Sequence, residues 1–390
     1  MFSNRVNSIK PFIVMEILEK ALEMEANGID IVHMEIGEPD FDTPLKIVNG
    51  CFTDIAKGKT HYTHSLGYIE LREALSDYKM HTRNTYFDPK TQFMITGGTS
   101  PAFFNILSTL INPGDEIIIT DPGYPCYENF ITFFNGKPVF VQIYEENQFD
   151  LDIGELKKVI TPKTKAIILN SPSNPTGQII PESTLDEIAN IIEKNKIWII
   201  SDEIYSELTY DGKIAPSLSD AQYKKCHDRL VILDGFSKFW AMTGWRLGYI
   251  IAPHRLINEM IKVQQNFLIC APSISQVAAI HALTCEEETK KMLEIYKNRR
   301  DYIFNRLNKL KGIKCLKPHG AFYIFANIKQ LDISSMEFSL QLLEKAHVAI
   351  CPGISFGPNG EGFVRFSYPT DVQNINIGMN RLETFINEEL

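Results

Sequence analysis

The sequence contains no C-x-x-C pair, no excess of basic charge and no run near the roughly 20 apolar residues of a membrane span. Each absence excludes something. The seven cysteines, at positions 51, 126, 226, 270, 285, 315 and 351, are odd in number and scattered, which argues against a disulfide framework and fits a reduced intracellular chain. Among nine histidines only His61 and His64 lie close together, with no third ligand at metal spacing, so no metal is expected. Lys plus Arg number 39 against 48 Asp plus Glu, and the net charge of −9 speaks against nucleic acid as a partner. The stretch Met1 to Lys10 is too polar for a secretory signal. The expectation is a cytoplasmic chain that binds neither membrane nor nucleic acid. Several motifs are missing too. Gly58-Lys59-Thr60 ends like a phosphate loop, but Thr53 stands where its first glycine belongs; Gly357, Gly360 and Gly362 have the wrong spacing for a dinucleotide turn.

What is present is 390 residues, 44% hydrophobic and 22% charged, enough for a real core and for two or three domains. Short β-branched runs alternate with amphipathic stretches between Gln92 and Ala252. The runs are Phe93 to Thr96, Glu116 to Thr120, Val139 to Ile143, Lys165 to Asn170, Ile197 to Asp202, Leu230 to Phe236 and Leu247 to Ala252. Helical patterns lie between several of them, at Ala102 to Leu110, Tyr124 to Phe133 and Pro181 to Glu193. Runs that are apolar nearly throughout, separated by helices, predict an α/β fold: a mostly parallel seven-stranded sheet with helices on both faces. Beyond about Ala271 the pattern changes. A long charged helix (Glu286 to Leu310), a strand (Phe322 to Ala326), a helix near Ser335 to Lys345, strand-like runs at Val348 to Cys351 and Phe363 to Ser367, and a final helix predict a smaller α+β domain. The first 36 residues hold one amphipathic helix, with Val14, Ile17, Leu18, Ala21 and Leu22 on one face, and little else.

Four features carry chemistry. Gly97-Gly98-Thr99-Ser100 follows a strand and opens a helix, where free amides bind anions and glycine lets a phosphate approach, although an ordinary turn reads the same way. Ser171-Pro-Ser-Asn174-Pro-Thr-Gly177 begins just past a strand and holds Asn174 at its carboxyl end, where open α/β sheets place ligands. Asp202 ends the next strand, ahead of Glu203 and Tyr205; a carboxylate there is costly unless it meets a cation or donor, or caps a helix. Lys238, close to Phe236, Phe239 and Trp240 in sequence, is expected to be partly desolvated, which lowers its pKa and exposes a nucleophilic amine; a snorkelling surface lysine is the plain alternative. Their order decides the matter. An anion cradle, an acidic strand end, and a lysine shortly before Arg246 suit pyridoxal 5'-phosphate: a phosphate site, a partner for the ring nitrogen and an amine for the aldehyde.

On these residues, and over nearly the whole chain from Gly37-Glu-Pro-Asp-Phe41 to Phe363-Val-Arg-Phe-Ser-Tyr368, the sequence resembles the class I aminotransferases of the aspartate aminotransferase superfamily, fold type I pyridoxal phosphate enzymes. The most specific stretches are Ser237 to Gly248 and Ser171 to Gly177. The resemblance implies transfer of the amino group of an L-amino acid to a 2-oxo acid by a ping-pong route. Lys238 would form the internal aldimine and later shuttle the α-proton. Asp202 would pair with the pyridine nitrogen, Asn174 and Tyr205 would bond the phenolic oxygen, and Tyr124 would stack on the ring. Gly98, Thr99, Ser100, Ser237 and Arg246 would hold the phosphate. Tyr62 would reach it from the partner subunit of a homodimer with a shared active site. Arg365 would grip the substrate carboxylate, as a two-pronged guanidinium suits, with Asn174 and the Gly37 backbone beside it. The implied division is an N-terminal helix and arm (1–45) packing with the small domain, a large cofactor-binding domain (46–280) and a small C-terminal domain (281–390).

Two positions depart from aspartate-handling relatives: Gly235, where some carry a hydroxyl, and Thr99, where one bacterial branch carries a lysine. A carbon–sulfur lyase or another eliminase on the same fold would use the same lysine, aspartate and arginine. A non-catalytic regulator that senses the cofactor is disfavoured, because such proteins carry a DNA-binding domain ahead of this one and only 36 residues precede Gly37.

Overall fold

The computed structural model describes residues 3–212 and 214–390. Seven strands form the main sheet: β1 (Phe93–Thr96), β2 (Glu116–Asp121), β3 (Lys137–Gln142), β4 (Thr164–Asn170), β5 (Trp198–Asp202), β6 (Leu230–Gly235) and β7 (Gly248–Ile251). Their order is β1-β7-β6-β5-β4-β2-β3, and only β7 runs antiparallel to its neighbours. Alternate residues feed two cores. Ile118, Ile167, Ile199 and Ile232 pack on one face; Ile117, Ile168, Ile200 and Leu233 pack on the other. Both faces are thus covered, and this is why the interior strands read as continuous apolar runs. Edge strand β3 alone leaves several residues exposed.

The carboxyl ends of β1, β4, β5 and β6 share one edge, because β1 and β6 are both antiparallel to β7. The loops that leave this edge carry Gly97 to Ser100, Ser171 to Gly177, Glu203 to Tyr205 and Phe236 to Arg246. A second, antiparallel sheet is built from β8 (Lys314–Cys315), β9 (Tyr323–Asn327), β10 (Cys351–Pro352) and β11 (Phe363–Ser367), in the order β10-β11-β9-β8. Helices Glu286–Leu307, Ser335–Ala346 and Val372–Glu389 accompany it. No described helix is long and apolar enough to cross a membrane.

Some expected elements change. The run Val348 to Cys351 is not one strand: Val348 and Ala349 pair in parallel with Val32 and His33, whereas Cys351 and Pro352 belong to the second sheet. The N-terminal segment therefore holds a short strand and a one-turn helix, Asn4–Asn7, besides helix Ile13–Ala26. Helix Cys126–Phe133 starts two residues later than expected, since Pro125 disfavours helical geometry at Tyr124. The long charged helix stops at Leu307. Helices Leu45–Ile55, Ile69–Arg83, His254–Val263 and Ser273–Ala282 lie outside the expected set.

Candidate active site

Asp202 closes β5 with its carboxylate buried. Oδ2 accepts the Tyr127 hydroxyl at 2.6 Å and Oδ1 accepts the Ile204 amide at 3.2 Å. No helix follows it, so the cap role is not taken up. Burial raises its pKa to about 7, against the pull of those two hydrogen bonds, and Asp234 and Glu203 push the same way as burial. Among the described residues no cation pairs with it.

The loop after β4 is tied from both sides. The Asn174 amide donates to Asn170 Oδ1 at 2.8 Å, and Asn174 Oδ1 accepts from Arg365 Nη1 at 2.9 Å. Arg365 comes from β11 in the second sheet. Its Nη2 donates to the Glu35 carbonyl and to Cys351 Sγ, and its guanidinium lies 4.4 Å from the Tyr323 ring centre. Its Nε is buried and finds no partner among the described residues. Tyr323 also takes a 2.7 Å hydroxyl contact with Tyr205. A Cβ on Gly37 would lie 1.9 Å from the Tyr323 hydroxyl, so only glycine fits there.

Lys238 sits in the loop after β6, and its Nζ donates to the Gly37 carbonyl at 2.5 Å. Its pKa falls to about 8: burial lowers it most, Glu38 opposes, and the Arg365 and Arg246 cations add to the drop. The desolvating ring is not one of the three expected. Phe236 and Phe239 pack onto Trp240 with centroids 4.9 and 5.0 Å apart, whereas Phe322, in the turn just ahead of β9, faces Nζ at 5.8 Å. Nearness in sequence does not decide which ring meets the amine; the fold does.

Gly98 opens helix Thr99–Leu110 at φ +108°, with no acid in the helix's first turn. A Cβ there would come 2.8 Å from Arg246 Nη2, so the glycine allows the guanidinium to lie against the helix start. Together these elements enclose a cavity of about 370 Å³. Its wall brings together Gly37, Thr99, Ser100, Tyr124, Asn174, Asp202, Tyr205, Lys238 and Arg365. Gly98, Ser237 and Arg246 stand outside the wall, and Tyr62 is 82% exposed on the surface.

Residues 29–382 match the family model for aminotransferase class I and II. The chain belongs to the class I and II aminotransferases. It is 40% identical to the (5-formylfuran-3-yl)methyl phosphate transaminase of Methanocaldococcus jannaschii over 100% of both chains. It is 38% identical to aromatic-amino-acid aminotransferase 2 of Thermococcus litoralis, covering 99% of this chain and 98% of the relative. Among solved structures, Pyrococcus protein-A1 superposes with a TM-score of 0.94 at 37% identity, covering 99% and 98% of the two chains. This aminotransferase moves the amino group of an amino acid to a 2-oxo acid, and pyridoxal 5'-phosphate is the cofactor of its family.

The aminotransferase's own residues fit that cofactor. A desolvated amine, a buried carboxylate with no cation, an acid-free helix start under an arginine and a buried guanidinium with an unused N–H line or flank one cavity. Sequence reasoning missed several parts of it. Tyr127 was legible in principle, three residues after Tyr124; Val14 and Leu18 were visible only as the apolar face of a helix, and Tyr323, Phe12, Met15 and Ile36 carry no local signal.

Proposed function

We propose that Lys238 is the catalytic amine of this aminotransferase and that Asp202 and Arg365 are its principal partners. The supporting observation is that the amine, the buried carboxylate and the guanidinium converge on one cavity of about 370 Å³. When bound, the cofactor supplies an electron sink for the pair left on the substrate α-carbon. Asp202 would pair with the ring nitrogen and keep a proton there, which would offset its own desolvated charge. Thr99 and Ser100, with Gly98, Ser237 and Arg246, bind the phosphate. Asn174 and Tyr205 would bond the cofactor's phenolic oxygen, and Tyr124 would pack on its ring. Arg365, already anchored by Asn174, grips the substrate carboxylate and so orients the α-hydrogen toward Nζ of Lys238. With a pKa near 8, that amine accepts the proton at neutral pH more readily than an ordinary lysine.

The amino donor carries an apolar side chain. Phe12, Val14, Met15, Leu18 and Ile36 line the cavity, and among the described residues its only cations are Lys238 and Arg365, both committed to the reacting end. The enzyme works by ping-pong exchange as a cytoplasmic homodimer, in which exposed Tyr62 completes the phosphate site of the partner subunit. Residues 46–280 form the cofactor-binding unit, 281–390 the small unit, and 1–45 the arm that packs with the latter.

Borohydride reduction of the yellow holoenzyme followed by peptide mapping tests the central assignment: the label is expected on Lys238, and a label elsewhere overturns it. Pyruvate and ammonia released without a 2-oxo acid acceptor would favour the eliminase reading instead.

A further inference from the structure

The face of the sheet opposite the cavity holds a second charged cluster, fully buried. Asp202, the last residue of β5, stands in register with Leu233, and Glu203 just after it, whose amide donates to the Leu233 carbonyl, turns with Asp234 to the other face. Lys79, from helix Ile69–Arg83, meets them there. Its Nζ lies 3.2 Å from Asp234 Oδ2 and 3.5 Å from Glu203 Oε2, and its side chain is 0% exposed. Tyr249 donates to Asp234 at 2.7 Å, and Ser201 and Ser217 donate to Glu203. Arg83, one turn along, pairs with Asp220 at 3.5 Å. Glu207 is the remaining acid whose charge reaches Lys79.

Such a cluster is weak evidence of stability, since apolar residues of similar volume often serve as well. Its position offers another reason. Two carboxylates directly behind Asp202 oppose its ionisation, and Lys79 is the cation bonded to both. We infer that Lys79 is a positioning residue for the cofactor: by neutralising Glu203 and Asp234 across the sheet, it lets Asp202 ionise against a cationic ring. This rests on the role proposed for Asp202. On the cavity side the Tyr127 hydroxyl bonds that carboxylate and the Tyr124 hydroxyl lies within reach of its charge, and Lys238, Arg365 and Tyr205 share the cavity.

The test is titration of the cofactor-free protein with pyridoxamine 5'-phosphate between pH 5 and 9, following binding by absorbance and fluorescence. Affinity falls as pH drops through the pKa of Asp202. Lys79→Met is expected to move that fall upward by about one pH unit, and adding Glu203→Gln to Lys79→Met is expected to move it back. A fall that stays in place in a folded Lys79→Met protein, or that the second substitution fails to restore, overturns the inference. Should Lys79→Met not fold, Glu203→Gln alone keeps the test open: the fall is expected to move downward, and no movement refutes the coupling. Asp202→Asn serves as the separate control. If it leaves the wild-type fall intact, the reading of Asp202 itself is wrong, whatever Lys79 does.

Discussion

Asp202 and Glu203 are consecutive, both buried, and end on opposite faces of one sheet. On the far face Glu203 is met by Lys79, Arg83 and two serine hydroxyls, and these hold its pKa below the usual value although burial pushes it up. On the cavity face Asp202 has one hydroxyl, one amide and no cation among the described residues, and burial prevails. The far side is closed by the protein's own charges; the near side is left for a ligand to complete. A carboxylate whose desolvation the fold leaves uncompensated is a better mark of a binding site than burial alone.

The contrast can be broken from either side. Lys238→Ala is expected to lower turnover by at least ~10³-fold with the circular dichroism of the folded protein retained, because no other amine lines the cavity. Asp202→Ala follows, with proton abstraction slowed by about 10²–10³-fold in single-turnover absorbance, whereas Glu203→Gln is expected to stay within tenfold. Lys79→Met strands two carboxylates and should cost about 3–5 kcal/mol in urea denaturation.

The pH dependence sharpens the difference. The folded pKa of Asp202, about 7, lies above its ordinary 3.8, so the folded cofactor-free protein binds more protons between those values and loses stability as pH rises through them. Asp202→Asn should therefore make the cofactor-free protein more stable at pH 8, by about 2–4 kcal/mol, with the gain vanishing near pH 4. The smallest effect belongs to Tyr127→Phe. Loss of its 2.6 Å bond should raise the Asp202 pKa by about one unit, seen as an upward shift in the acid limb of kcat/KM.

The main sheet was legible because its strands are buried on both faces and so announce themselves as apolar runs. Helix Ile69–Arg83 was not, because its buried face includes Lys79 and Arg83 of the far-side cluster together with Arg72 and Ser76, which bond loop carbonyls, and all four interrupt the apolar period that marks a helix. The double life of Val348 to Cys351 was hidden for a different reason, since an apolar run does not say which sheet it joins. Within the site, Lys238, Asp202 and Asn174 could be found because strand ends and punctuated loops mark them. Tyr127, Tyr323 and Phe322 look like any core aromatic until the second sheet is brought against the first.

The cavity wall runs from Phe12 to Arg365 in sequence. A chain emerging from the ribosome owns its main sheet long before Arg365, on the last strand, is made. The residues proposed to hold the cofactor, Gly98 to Arg246, are thus made before the arginine proposed to grip the substrate, and only a nearly finished polypeptide carries the complete wall.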